Sequence, residues 1–146
     1  MKIQEICEND AAAVETLEKK IFPDPWTTVG IKETLAQKGT LVLGAWKDGS
    51  LIGYVIVYYV LDEGEIARIA VDESSRRQGV AGHLMLRLED FCEENGIAKL
   101  MLDVRESNAA AIAFYKDHGF TEDGIRKNYY ANPKEDAILM SRELGS

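Results

Sequence analysis

Three apolar, β-branched runs follow one another with only short polar breaks: "TLVLGAWK" (40–47), "LIGYVIVYYV" (51–60) and "EIARIAVD" (65–72). The breaks, "DGS" (48–50) and "LDEG" (61–64), have room only for hairpin turns. Adjacent parallel strands need a crossover of about a dozen residues or more, so these three runs form an antiparallel meander. After them the pattern changes. Val80, Ala81, Leu84, Met85, Leu88, Phe91 and Cys92 fall at helical spacing, with Gly96 as the stop. "AKLMLDVR" (98–105) alternates as a strand. "SNAAAIAFYKDHG" (107–119) reads as a helix capped by Ser107 or Asn108. "FTEDGIRKNYY" (120–130) and "EDAILMSREL" (135–144) read as a closing strand pair.

Before the meander, "KIQEIC" predicts a short strand. Ala12, Val14, Leu17 and Ile21 predict one helix, which "FPDPW" (22–26) breaks. Thr27 or Thr28 caps a second helix ending near Gly39. The element order is therefore β-α-α-β-β-β-α-β-α-β-β. That order fits neither a doubly wound sheet nor a sandwich. It predicts an α/β (α+β) fold with a mixed, mostly antiparallel central sheet and helices on both faces. The 146 residues are expected to form one domain, 1–146.

A net charge of −8 argues against direct nucleic-acid binding. No run approaches the ~20 apolar residues of a membrane span, so no membrane partner is expected. Cys7 and Cys92 have no metal-ligand or CxxC spacing, which suggests reduced thiols and a cytoplasmic location. His83 and His118 are the only histidines, and no metal site is expected.

The stretch "SRRQGVAGHLMLRL" (74–87) places small residues at the mouth of the third helix, directly after a strand. It lacks the lysine of a P-loop and the G-x-G-x-x-G of a dinucleotide site. Small residues there let the backbone approach a ligand closely, and open N–H groups favour an anion. Arg76 and Arg77 add charged donors.

Arg76-x-x-Gly79-x-Ala81 resembles the R/Q-x-x-G-x-G/A acetyl-coenzyme A signature of the GCN5-related N-acetyltransferases. "FPDPW", "LDEGEIARIAVD", "LDVRESNAAAIAFYKDHGF" and "IRKNYY…EDAILM" extend the likeness over residues 22–140. Together they resemble the bacterial branch that acetylates alanine on ribosomal proteins. The resemblance implies that acetyl-CoA is the co-substrate, with its pyrophosphate on Arg76, Arg77, Gln78, Gly79, Val80, Ala81 and Gly82. It implies that the pantetheine arm pairs with the backbone of Ile69, Ala70 and Val71, as an added strand would. It also implies that Asn108 contacts that arm and that Tyr115 reprotonates the departing thiolate. Asn108 and Tyr115 share one helical face, roughly 10 Å apart at ~1.5 Å rise per residue.

Asp103 stands where that branch has a glutamate acting as general base. It is shorter by one methylene, ~1.5 Å, and reaches an amine through a bridging water. Its other reading is an ion pair with a neighbouring cation. Trp26, Tyr129 and Tyr130 are candidate walls for a peptide terminus. The expected reaction is direct acetyl transfer to a protein N-terminal α-amine, on the resemblance the terminal alanine of a small-subunit ribosomal protein. Transfer to lysine or a small amine, and a non-catalytic acetyl-CoA binder working through a partner protein, are the alternatives.

Overall fold

The computed structural model describes residues 1–76 and 78–144. Seven strands and four α-helices appear in the expected order: β1 Lys2–Glu5, α1 Ala11–Ile21, α2 Thr28–Leu35, β2 Thr40–Lys47, β3 Ser50–Val60, β4 Glu63–Val71, α3 Val80–Asn95, β5 Lys99–Arg105, α4 Ala109–Asp117, β6 Thr121–Ala131 and β7 Lys134–Glu143. They form one seven-stranded sheet ordered β1-β2-β3-β4-β5-β7-β6. Only β4 and β5 run parallel, joined through α3, and the other neighbours are antiparallel. The last strand to form in sequence, β7, lies between β5 and β6.

Period-two alternation sends each strand's apolar residues to two cores. Val55, Val57, Ile66, Leu100 and Leu102 pack with Leu84, Met85 and Leu88 of α3 and Tyr115 of α4. On the opposite face Val42, Tyr54 and Ile56 pack with Ala11, Val14 and Leu17 of α1 and Ile31 of α2. The helices thus cover both faces of the sheet. Within α1, the buried stripe is Ala11, Val14, Leu17 and Glu18, while Ala12, expected inside, is exposed.

Helix α2 starts where the sequence suggests, with Thr27 Oγ1 accepting from Gly30 N at 3.0 Å. It stops earlier than expected, at Leu35. Gly39 is instead part of the entry to β2. Its φ is +77°, and a Cβ there would collide with the Tyr59 carbonyl. The same approach lets Tyr59 N donate to Gly39 O at 2.7 Å.

The two N-terminal helices are tied by Glu15, which accepts from Thr28 N and pairs with Lys19 at 3.0 Å. The hydrogen bonds from Thr28, then the lysine, hold this carboxyl down at about 2, against the usual 4.5. A lowered folded-state value means the contribution is present above the unfolded value and is lost as pH falls through the folded one. The gap in thermal midpoint between the parent and Glu15→Gln is therefore expected to be widest near neutrality. It should narrow as pH falls from 4.5 towards 2. A gap independent of pH would contradict this.

Candidate active site

The site begins with a parting of strands. β4 and β5 pair only from Glu63↔Lys99 to Ile66↔Leu102. β4 then stays with β3 as far as Gly53↔Val71, while β5 stays with β7 as far as Arg105↔Ala137. Ala67 is an extra residue at this point, because Ile56 pairs with Arg68 and Val57 with Ile66. Such a bulge increases local twist and turns a strand away from its neighbour. Residues 67–71 are left with no strand partner on one side.

The alternation of the ladder says which groups are open. Asp72 N donates to Ile52 O at 2.8 Å. Two and four residues back, Ala70 and Arg68 therefore turn their backbone groups to β3, and Ile69 and Val71 turn theirs to the gap. The side chain of Arg76 occupies one of them, donating through Nε to Val71 O at 3.2 Å. The side chains of Ile69 and Val71 pack against the α3 core, and Ala70 is buried on the other face. An extended ligand arm could add to this edge by main-chain hydrogen bonds alone.

The glycine loop lies at the end of this strand. Gly79 is the N-cap of α3 at φ +77°. A Cβ there would sit 3.6 Å from the His83 ring, so conformation rather than crowding calls for glycine. The first intrahelical bond of α3 is His83 N to Gly79 O at 3.0 Å. The N–H groups of Val80, Ala81 and Gly82 precede it and have no intrahelical acceptor. α2 and α4 are capped by Thr27 and Asn108, whereas among the described residues no side chain caps α3. Three donors and the positive end of a 16-residue helix thus face outward beside the open strand edge. Gln78 is exposed in the same loop. Arg77, expected to join this cradle, lies outside the described residues.

Across the gap, β5 alternates as expected. Leu100, Leu102 and Val104 are buried, and Met101, Asp103 and Arg105 lie on the other face. Asp103 is 20% exposed, with Arg126 Nη1 3.9 Å from its carboxylate. It lines a groove of about 380 Å³ with Glu65, Met101, Asp123, Arg126 and Leu139. Both readings of Asp103 thus have a physical basis here, since the carboxylate faces the groove and has a cation nearby.

Tyr115 projects from α4 with its ring buried against Phe114 and Phe120. Its hydroxyl has no hydrogen-bond partner among the described residues. Burial first, and then Tyr130, raise the Tyr115 phenol above its usual range. Burial and then the Asp103 charge push Tyr130 up to about 12. Asp103 and Tyr115 are thus each within electrostatic reach of Tyr130. Tyr129 is 47% exposed, packs edge-on against Tyr130 and carries Arg126 over its ring. Asn108 caps α4, its Oδ1 accepting from Ala111 N at 3.1 Å, which leaves its amide NH₂ outward. Trp26 packs against the α1-side core, on the sheet face to which Asp103 also turns.

Neither thiol offers a nucleophile. Cys92 is buried in the core and burial pushes it up to about 11, so it stays protonated at neutral pH. Cys7 is exposed at the far end of the molecule, beyond β1, and bonds Asp10 at 3.2 Å. Among the described residues, no cluster of His, Cys, Asp and Glu could hold a metal, and no helix is long and apolar enough to cross a membrane.

One functional element was missed in the sequence. Glu18 is fully buried and accepts from Tyr54 OH, Arg68 Nη1 at 2.6 Å and Trp26 N at 2.8 Å. Arg68 in turn lies over the rings of Phe22 and Trp26. This network fixes the "FPDPW" loop against β4 within its unpaired stretch. The available signal was a carboxylate on an apolar helical stripe. Removing one partner of a buried pair leaves an uncompensated charge, so Glu18→Ala is expected to destabilise the fold by about 3–5 kcal/mol. Urea unfolding measures this, and a loss below about 1 kcal/mol would contradict it.

The chain is similar to known proteins in sequence and in fold. The profile of the acetyltransferase (GNAT) family matches residues 11–120, and the chain belongs to that family. It is an acetyltransferase by fold and by sequence. A [ribosomal protein bS18]-alanine N-acetyltransferase of Escherichia coli strain K12 is 38% identical over 136 residues, spanning 90% of each chain. The N-alpha-acetyltransferase RimI of Mycobacterium tuberculosis is 32% identical over 142 residues, 93% of this chain and 88% of that one. The crystal structure of the ribosomal-protein-S18-alanine N-acetyltransferase from Escherichia coli superposes with a TM-score of 0.91 at 35% identity. It covers 99% of this chain and 94% of that one.

Proposed function

We propose that residues 1–146 work as a single domain that transfers acetyl from acetyl-CoA to a protein N-terminal α-amine. The substrate we infer is the N-terminal alanine of a small-subunit ribosomal protein. The observation that carries this reading is the gap itself. An unpaired β4 edge starts beside three uncapped helix N–H groups, and across the gap Asp103 of β5 is coupled to Tyr130, which is coupled in turn to Tyr115. The Escherichia coli enzyme above is named for the alanine of a ribosomal protein, which supports the choice of acceptor.

The chain's own groups divide the work. Val80, Ala81 and Gly82, with Arg76, Arg77 and Gln78, hold the cofactor's phosphates. Ile69 and Val71 align its extended arm through their backbone, and one of their N–H groups faces the oxyanion. When bound, acetyl-CoA supplies a thioester carbonyl for the amine to attack. Asp103 accepts the proton leaving the amine nitrogen, and Tyr115 donates the proton that the departing sulfur requires. Burial keeps Tyr115 protonated at neutral pH. The same desolvation raises the basicity of a thiolate in that place, so donor and acceptor stay matched. Asn108 contacts the arm, and Trp26, Tyr129 and Tyr130 form the acceptor walls.

The acceptor's own basicity sets how much help its deprotonation needs. An α-amine, with pKa ~7.7–8.0, needs less than a lysine near ~10.4. Asp103→Asn is therefore expected to reduce kcat/KM by about 10²-fold on a peptide with a free N-terminal alanine. The loss should be smaller above pH 8, where the acceptor is already neutral. An effect below about threefold at neutral pH would leave Asp103 as only the partner of Arg126. The acceptor class is tested by following coenzyme A release with this peptide and with its N-terminally blocked, lysine-containing counterpart. Turnover is expected only on the first, and turnover on the second would move the assignment to lysine.

A further inference from the structure

The tip of the β6–β7 hairpin is poorly held by its own ladder. Pairing breaks after Arg126↔Ala137 and resumes at Tyr130↔Glu135, so residues 127–129 face Asp136 alone. Beyond that bulge only Tyr130↔Glu135 and Ala131↔Lys134 remain. Two pairs next to a turn fix a strand weakly. Yet Tyr130 is within electrostatic reach of both Asp103 and Tyr115.

The missing constraint comes from Arg105, at the end of β5. Its Nη1 donates to Pro133 O at 2.9 Å and its Nη2 to Asn132 O at 3.1 Å, spanning both carbonyls of the turn. Its guanidinium carbon lies 4.2 Å from the centroid of the Tyr130 ring. Glu135 also holds the guanidinium, accepting through Oε1 from Nη1 at 3.3 Å. The second oxygen of Glu135 accepts from Ser107 N at 2.5 Å, where the chain turns into α4. Arg105 shares a strand face with Asp103 two residues earlier. The hairpin tip is therefore keyed to the strand and loop that carry Asp103 and Asn108, through one planar cation.

We infer that Arg105, oriented by Glu135, is a positioning residue that sets the Tyr130 wall of the acceptor site, an inference that rests on the proposed acceptor function. A planar fork can bridge two carbonyls while stacking on a ring, and a lysine ammonium cannot do both. The role concerns the acceptor side, since among the described residues Arg105 bonds only to Asn132, Pro133 and Glu135 and lies against the Tyr130 ring.

The test uses the full chain and a peptide with a free N-terminal alanine. Arg105→Lys is expected to raise the acceptor KM by about tenfold, with kcat within about threefold and the acetyl-CoA Kd within about twofold. Tyr130→Leu should also raise the acceptor KM, and adding Arg105→Lys to it should raise it no further. Glu135→Gln keeps an oxygen for Ser107 N–H but loses the ion pair, and gives the same readout if Arg105→Lys does not fold. An unchanged KM, fully additive effects, or a parallel rise in the acetyl-CoA Kd with a lower thermal midpoint would overturn the inference. Wild-type protein without turnover on this peptide would instead overturn the proposed function on which it rests.

Discussion

Tyr115→Phe is expected to lower kcat by about 10²–10³-fold, equivalent to about 2.7–4 kcal/mol in the barrier, with little change in stability. The asymmetry follows from how the side chain is held. Its ring is the buried part, in edge contact with Phe114 and Phe120 at 5.6 and 5.5 Å between centroids. Phenylalanine keeps those contacts. The hydroxyl bonds to nothing among the described residues, so its removal leaves no buried group unpaired. What is lost is the phenolic proton that the proposed mechanism delivers to the departing thiolate. Steady-state kinetics at saturating acetyl-CoA measures the effect. An unchanged kcat with a raised KM would make Tyr115 a binding group instead.

Gly79→Val is expected to weaken acetyl-CoA binding by about 10²-fold, or about 2.7 kcal/mol. Gly79 sits at φ +77°, where a β-branched residue is strained. Relief of that strain rotates the peptide units that aim the N–H groups of Val80 and Ala81. The fold itself should lose about 1–2 kcal/mol, or roughly 2–8 °C in thermal midpoint. Gly82→Ala is the matched control. A Cβ at Gly82 meets nothing within 4 Å, and alanine favours a helix over glycine. Affinity there should stay within about twofold. Titration calorimetry with acetyl-CoA gives both values. Equal losses at 79 and 82 would mean that side-chain bulk, rather than backbone direction, governs the site.

The parts of this site legible in the sequence are those set by local physics. The short turns of the meander forced antiparallel strands, and β2, β3 and β4 occur within a few residues of "TLVLGAWK", "LIGYVIVYYV" and "EIARIAVD". The α3 stripe is buried at Val80, Leu84, Met85, Leu88 and Cys92. Thr27 and Asn108 cap the helices they precede, and Asp103 falls on the strand face that alternation predicts.

The gap was not legible. Its existence depends on one extra residue, Ala67, opposite an otherwise regular strand, and on β7 taking the place beside β5. Neither leaves a periodic trace. The Glu18 network joins residues 36 and 50 positions apart, and the Arg105 clamp joins residues 27 to 30 apart. Charge pairs of that kind are created by tertiary packing. In sequence they show only as charged residues at apolar positions, as at Glu18 on its stripe and Arg68 within "EIARIAVD".

The most direct measurement locates the acetyl group after reaction. A peptide with a free N-terminal alanine and an internal lysine is incubated with the enzyme and acetyl-CoA, then fragmented by tandem mass spectrometry together with the enzyme itself. The acetyl group is expected on the α-nitrogen alone, with none on the lysine and none on Cys7 or Cys92. Acetyl on the lysine side chain would contradict the assigned acceptor, and acetyl retained on either cysteine would contradict direct transfer.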